Sequence, residues 1–195
     1  MSNTRELVVP SRREFLTSTG SMALSAAGIL LLAGQDSRAQ GMGGAMPADV
    51  SILNVALGLE YEAINAYQLG AQSGLLQKPV LDVAVKFQGD HKGHRDALIA
   101  TIQKMGGKPV EEKKLDDYAK ALKADTLKSQ TDVLTLAAML ELGATNAYLG
   151  VIPAFKDAQL AKVAGRLAAD EALHWTVLNN ALGRPLPADA LPFGA

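Results

Sequence analysis

The sequence predicts an all-α fold, four long helices in a bundle, and three features carry that prediction. Apolar residues recur at three- and four-residue steps from Pro47 onward, β-branched alternation is almost absent, and Gly or Pro falls mainly where segments should end. The 195 residues, 48% apolar with formal net charge -1, suit one soluble, well-cored domain. A balance this close to neutral lacks the clustered Lys and Arg from which duplex binding draws its affinity, which excludes a nucleic-acid partner. With no cysteine there are no disulfides, thiolate metal sites or iron–sulfur clusters, so any metal chemistry must run on oxygen and imidazole ligands.

Residues 1–39 read as an address. Ser11-Arg12-Arg13-Glu14-Phe15-Leu16 carries twin arginines, the 14 residues Ser21 to Gly34 are mildly apolar, and Ser37-Arg38-Ala39 places small residues where a signal peptidase reads. This order resembles a twin-arginine export signal. The apolar stretch is shorter than the about 20 residues a membrane span needs, so cleavage after Ala39 is expected to leave no stable membrane anchor. The mature chain then holds 15 basic and 17 acidic side chains, net -2. The resemblance implies export of a folded protein to the periplasm or beyond, and permits metal loading in the cytoplasm. Residues 40–47 form a glycine-rich lead expected to be flexible, whose Met42 and Met46 are a weak match to a soft copper site.

The domain proper spans residues 48–185. Its first helix is expected from about Ala48 to Ser73, with Ile52, Val55, Leu59, Ala63 and Ala66 on one stripe and Gly74 ending it. Pro79 opens a second helix, which runs through Phe87, His91, His94 and Leu98 to Gly106-Gly107. The third is expected from the capping pair Thr131-Asp132 to about Pro153, and the fourth from Asp157 to Leu182; residues 186–195 are a tail. Short links at 74–78 and 154–157 make antiparallel pairs. The charged link from Gly107 to Gln130, with an amphipathic piece around Leu115, Tyr118 and Leu122, is long enough to cross the bundle.

The two hairpins repeat one another. Leu59 to Tyr67 and Leu140 to Tyr148 agree at six of nine places, Asp90, His94 and Leu98 match Asp170, His174 and Leu178, and Gly107-Lys108-Pro109 matches Gly183-Arg184-Pro185. In this register the core-facing polar set is Glu60, His91, His94, Glu141, Glu171 and His174, which includes all three histidines of the chain. Pairs at i and i+3 project from one helix face, so His91-x-x-His94 and Glu171-x-x-His174 can each aim two ligands at the same interior point.

This set resembles the ferritin-like di-metal carboxylate proteins, and the chain is similar throughout its mature length to exported ferritin-like domains that include desiccation-related proteins. The resemblance implies a ferritin-like bundle of two hairpins joined by a long crossover, and a pair of iron or manganese ions held by those six residues. It further implies iron oxidation or oxidant handling with oxygen or peroxide, or else a non-catalytic stress role for the same bundle, and it allows a homodimer. His91 departs from the pattern, which has a bridging glutamate there. Three carboxylates leave +1 against two divalent ions, so two metals bridged by Glu171 and an exogenous oxide, a single metal, or none all remain open. Three buried carboxylates with only three imidazoles at hand nonetheless favour a cation, because unneutralised burial costs several kcal/mol each.

Asp90 and Asp170 stand next to ligand positions and read either as acceptors that orient an imidazole or as solvated helix residues. Tyr67 and Tyr148 each follow a glutamate by seven residues, about 10 Å along the helix and nearly on its stripe. They are the candidate catalytic residues, as hydrogen-bond donors or electron sources near the metals, with core packing as the other reading. Glu62, about 200° from Glu60 around the helix, falls outside the cluster, and Asn65 and Asn146 are candidate bridges between helices.

Overall fold

The apolar stripes fold into five α-helices: α1 (Met46–Gln72), α2 (Lys78–Lys104), α3 (Leu115–Ala121), α4 (Gln130–Val151) and α5 (Ala158–Ala181). The structure is a computed structural model and describes residues 46–194, among which there is no strand; the expected export signal and residues 40–45 of the expected lead lie outside the described residues. Short 3-10 turns at Ala124–Thr126 and Ile152–Ala154 complete the element order.

Local chemistry sets the helix ends. Ser129, not Thr131 or Asp132, caps α4, its side chain accepting from the Asp132 amide, and Asp157 caps α5 by accepting from Gln159 at 2.7 Å. Pro79 sits in the first turn of α2, where its missing N–H is not needed. α1 begins at Met46, two residues earlier than its apolar stripe indicates. Gly106 and Gly183 end α2 and α5 in the left-handed conformation, with φ of 76° and 68°. The true counterpart of Gly183 in the repeat is therefore Gly106, one residue before the sequence match.

α1 packs on α2 and α4 on α5 as hairpins, and the crossover runs the length of α1. Gly107 begins it with no room for a side chain: a Cβ there would stand 2.5 Å from Val50 Cγ1 and 3.0 Å from Ile102 Cγ2. Asn54 then holds the strap by donating to the Lys108 carbonyl at 3.1 Å and accepting from the Val110 amide at 2.8 Å. Further along, Asn65 Nδ2 donates to Glu112 Oε1 at 2.7 Å. Asn146 accepts from the Gly194 amide at 2.8 Å, so both asparagines tie helices to the crossover or tail rather than to one another. Phe193 meets the Trp175 ring edge-on and helps seat the tail.

Two large apolar clusters and a small third one of Ile52, Ala147 and Val151 fill the bundle. The first large cluster contains Leu57, Leu98, Ile102, Leu160 and Leu167; the second contains Tyr67, Phe87, Leu134 and Leu178. Residues near the midpoints of α1, α2, α4 and α5 lie between the two large clusters in sequence along each helix, and those midpoints carry the polar set. Gln130–Ala154 is long and apolar enough to cross a membrane, yet it carries the buried carboxylate of Glu141 at its centre.

Candidate metal centre

All six expected ligand residues meet in one layer. Glu60 comes from α1, His91 and His94 from α2, Glu141 from α4, and Glu171 and His174 from α5. Glu60, His91, Glu141 and Glu171 are at most 2% exposed, and the His94 side chain is 12% exposed. Glu62 is absent from the cluster, as its helix angle requires.

The layer resolves into two donor sets. Glu60, His91, His94 and Glu171 form one, and His91, Glu141, Glu171 and His174 form the other. His91 and Glu171 belong to both. In the first, His94 Nδ1 lies 3.2 Å from Glu171 Oε1 and 3.6 Å from Glu60 Oε2; in the second, His174 Nδ1 lies 3.4 Å from Glu171 Oε2 and 3.6 Å from Glu141 Oε2. Ligand atoms about 2.0–2.2 Å from a shared cation stand about 3–3.5 Å from one another, so the spacing fits.

Side chains from the opposite hairpin brace each half of the site. The Tyr67 hydroxyl, on α1, donates to Glu141 Oε1 on α4, and the Tyr148 hydroxyl, on α4, donates to Glu60 Oε1 on α1. Each tyrosine thus serves the other hairpin's glutamate, not the one seven residues before it. His174 Nε2 lies 3.4 Å from Asp90 Oδ2, and His94 Nε2 lies 3.4 Å from Asp170 Oδ2. Each imidazole consequently turns Nδ1 inward. Phe87 stacks on His174 with ring centroids 4.0 Å apart, a contact that spacing along the second helix does not reveal. Beyond Tyr67 an apolar cavity of about 250 Å3, bounded also by Leu76, Ala84, Leu134 and Leu178, opens at the end of the bundle.

Burial and charge set the protonation of the layer. Burial pulls the imidazoles toward neutrality, but the carboxylates crowded against them outweigh it, raising His94 to about 10, His174 to about 9 and His91 well above its ordinary value. Burial works against the charged carboxylates too, but the histidines hold Glu60 and Glu141 below the usual range. For Glu171 burial prevails, helped by the adjacent Glu141, and its carboxyl is raised. Burial and the neighbouring carboxylates also keep both tyrosines protonated, pushed well above 10.

The raised histidines offset carboxylate charge within the layer itself, so charge alone makes a weaker argument for a cation. Hydrogen bonding supplies the stronger one. His94 Nδ1, His174 Nδ1, Glu141 Oε2 and both Glu171 oxygens are buried without a hydrogen-bond partner. They crowd together at ion-pair distances yet form no hydrogen bond. Buried polar atoms left unpaired are rare and costly, and cations placed among them would satisfy all five. The residues present fit a metal centre.

A hairpin-repeat bundle with a carboxylate–histidine layer at its middle defines the class of this protein. Residues 48–184 match the family model of the ferritin-like domain, and the chain belongs to that family. No curated protein and no solved structure matches the chain significantly.

Proposed function

We propose that this chain is an exported ferritin-like protein that holds two iron or manganese ions and acts in iron oxidation or in removal of oxidants. The observation that carries the reading is the set of five unpartnered buried atoms, distributed over two donor sets drawn from four helices. Oxygen and imidazole donors without thiolate suit iron and manganese. Such ions, when bound, supply one-electron redox chemistry and open positions for oxygen or peroxide.

The chain's own contribution is positional. Glu60 with His94, and Glu141 with His174, would hold the two ions, while Glu171 reaches both sets. Tyr67 and Tyr148 fix the glutamates, and Asp90 and Asp170 fix the histidines. The apolar wall beyond Tyr67 suits a small neutral oxidant better than a charged one. The twin arginines support export after folding, which would let the site fill before the chain leaves the cytoplasm.

The test is elemental analysis of protein exported by its own signal, followed by anaerobic iron(II) titration. About two ions per chain and an oxygen-dependent near-ultraviolet band are expected. Protein that emerges metal-free and takes up no iron(II) ends the proposal.

One feature favours a second reading, a non-catalytic stress or envelope protein: the layer's own raised histidines offset carboxylate charge without a metal. In that case replacing Glu141 and His174 together leaves the stress phenotype of the parent strain unchanged.

A further inference from the structure

The two halves of the layer differ at one repeat position: α5 has Glu171 where α2 has His91. Both residues are shared by the two donor sets, and both divide their donor atoms between them. Glu171 turns Oε1 to the His94 side and Oε2 to the His174 side. His91 does the same with its ring. Its Nδ1 lies 2.8 Å from Glu60 Oε2 and 3.8 Å from Glu171 Oε1, on the His94 side. Its Nε2 lies 3.3 Å from Glu141 Oε1, on the His174 side.

The ring cannot easily turn away from this arrangement. It is 1% exposed and packs edge-on against His94, at 5.7 Å between centroids, and against His174, at 5.3 Å, with the Tyr67 ring tilted at 5.5 Å. Each nitrogen already stands at hydrogen-bond distance from a carboxylate of a different set.

Ligand count and charge point the same way. A neutral imidazole has one free lone pair and can bind one ion; only an imidazolate, with both nitrogens free of protons, can bind two. Glu60, Glu141 and Glu171 bring three negative charges against the four positive charges of two divalent ions. An imidazolate supplies the missing one, in a layer where burial penalises any uncompensated charge.

We propose that His91 bridges the two metal ions, one ring nitrogen to each, in place of the second bridging carboxylate. This rests on the metal-binding function proposed above. The step is an exchange: each N–H proton of His91 passes to solvent as an ion takes its place, and nothing is oxidised or reduced.

Copper(II) is the probe, titrated into the metal-free full chain under argon and followed by electron paramagnetic resonance. Two ions per chain are expected, with the signal of the first quenched by coupling as the second binds. The dipolar splitting should report ions about 6 Å apart, the sum of two metal–nitrogen bonds of about 2 Å and the ring between them. Oxygen-bridged pairs stand about 3.5–4 Å apart.

Two variants separate the bridge from the site. In His91→Gln the second ion should bind at least 100-fold more weakly and the coupling should vanish. In His91→Glu two ions should still bind, at the shorter spacing. Should His91→Gln fail to fold by circular dichroism, the change of spacing between parent and His91→Glu decides alone. Parent protein that binds one ion only, or two whose spacing is the same in His91→Glu, overturns the bridge and leaves a metal site standing. Parent protein that binds neither copper nor iron removes the site itself.

Discussion

Asp90 Oδ2 on α2 lies 3.4 Å from His174 Nε2 on α5, so a residue of the first hairpin fixes which nitrogen the second hairpin offers to the centre. The same relation runs the other way between Asp170 and His94, but Asp170 is 54% exposed at its side chain and Asp90 only 32%. The more buried carboxylate should matter more. Asp90→Asn should weaken zinc or iron(II) binding about 10–100-fold, and Asp170→Asn by less, as read by competition with a chelating dye. Equal effects would show that water, not burial, governs both contacts.

Glu171 is the carboxylate that both donor sets share. Glu171→Gln, which keeps its volume, should cost more affinity than any neighbour's replacement, about 100-fold or more for the pair of ions. Calorimetric titration should show the stoichiometry falling below two. A variant that retains two tight ions would exclude Glu171 from the ligand set.

Tyr67 and Tyr148 combine a packed ring with a hydroxyl committed to a buried carboxylate. Tyr148→Phe preserves the ring and strands Glu60 Oε1, which should lower the stability of the metal-free protein by about 1–3 kcal/mol. Urea denaturation checks this, and an unchanged midpoint would reduce the tyrosine to packing alone.

Proton linkage predicts opposite pH trends for stability and for metal uptake. His94 at about 10 and His174 at about 9 are raised above the about 6.5 of an unfolded histidine. Their contribution to the metal-free fold is complete below about pH 6.5 and declines as pH rises through 9 to 10. Metal binding must displace those protons, so affinity should climb over the same interval. Thermal melts and metal titrations between pH 6 and pH 10 test both signs, and parallel trends would contradict the coupling.

Gly107→Ala would place a methyl 2.5 Å from Val50 Cγ1 and 3.2 Å from the Ile102 carbonyl oxygen, where α2 turns into the crossover. The backbone oxygen cannot move aside as a side chain can. A loss of about 1–3 kcal/mol follows, measurable by urea denaturation, with metal stoichiometry unaltered because the site lies elsewhere on α2.

Much of the site was legible because two periodicities coincide. The 3.6-residue repeat put Glu60, Glu141 and Glu171 on buried stripes and Glu62 off them, and the likeness between hairpins brought α2 into register with α5. The caps were less legible. Ser129 lies two residues before the pair that looked like the start of α4, because a cap is chosen by the entering backbone and several polar residues compete for it. The sequence reads Asn65 and Asn146 as bridges between helices, but their partners belong to the crossover and tail, whose paths no helical period describes.

By itself, the sequence determined which side chains turn inward and at what height on each helix, since both follow from a local screw symmetry that every turn repeats. Tertiary structure decided who meets whom. Tyr67 reaches Glu141 rather than Glu60, Asp90 reaches His174, and the two edges of His91 face different donor sets. These pairings depend on how far one hairpin slides and rotates against the other, and that is settled by the fit of the apolar clusters above and below, not by spacing along either chain segment.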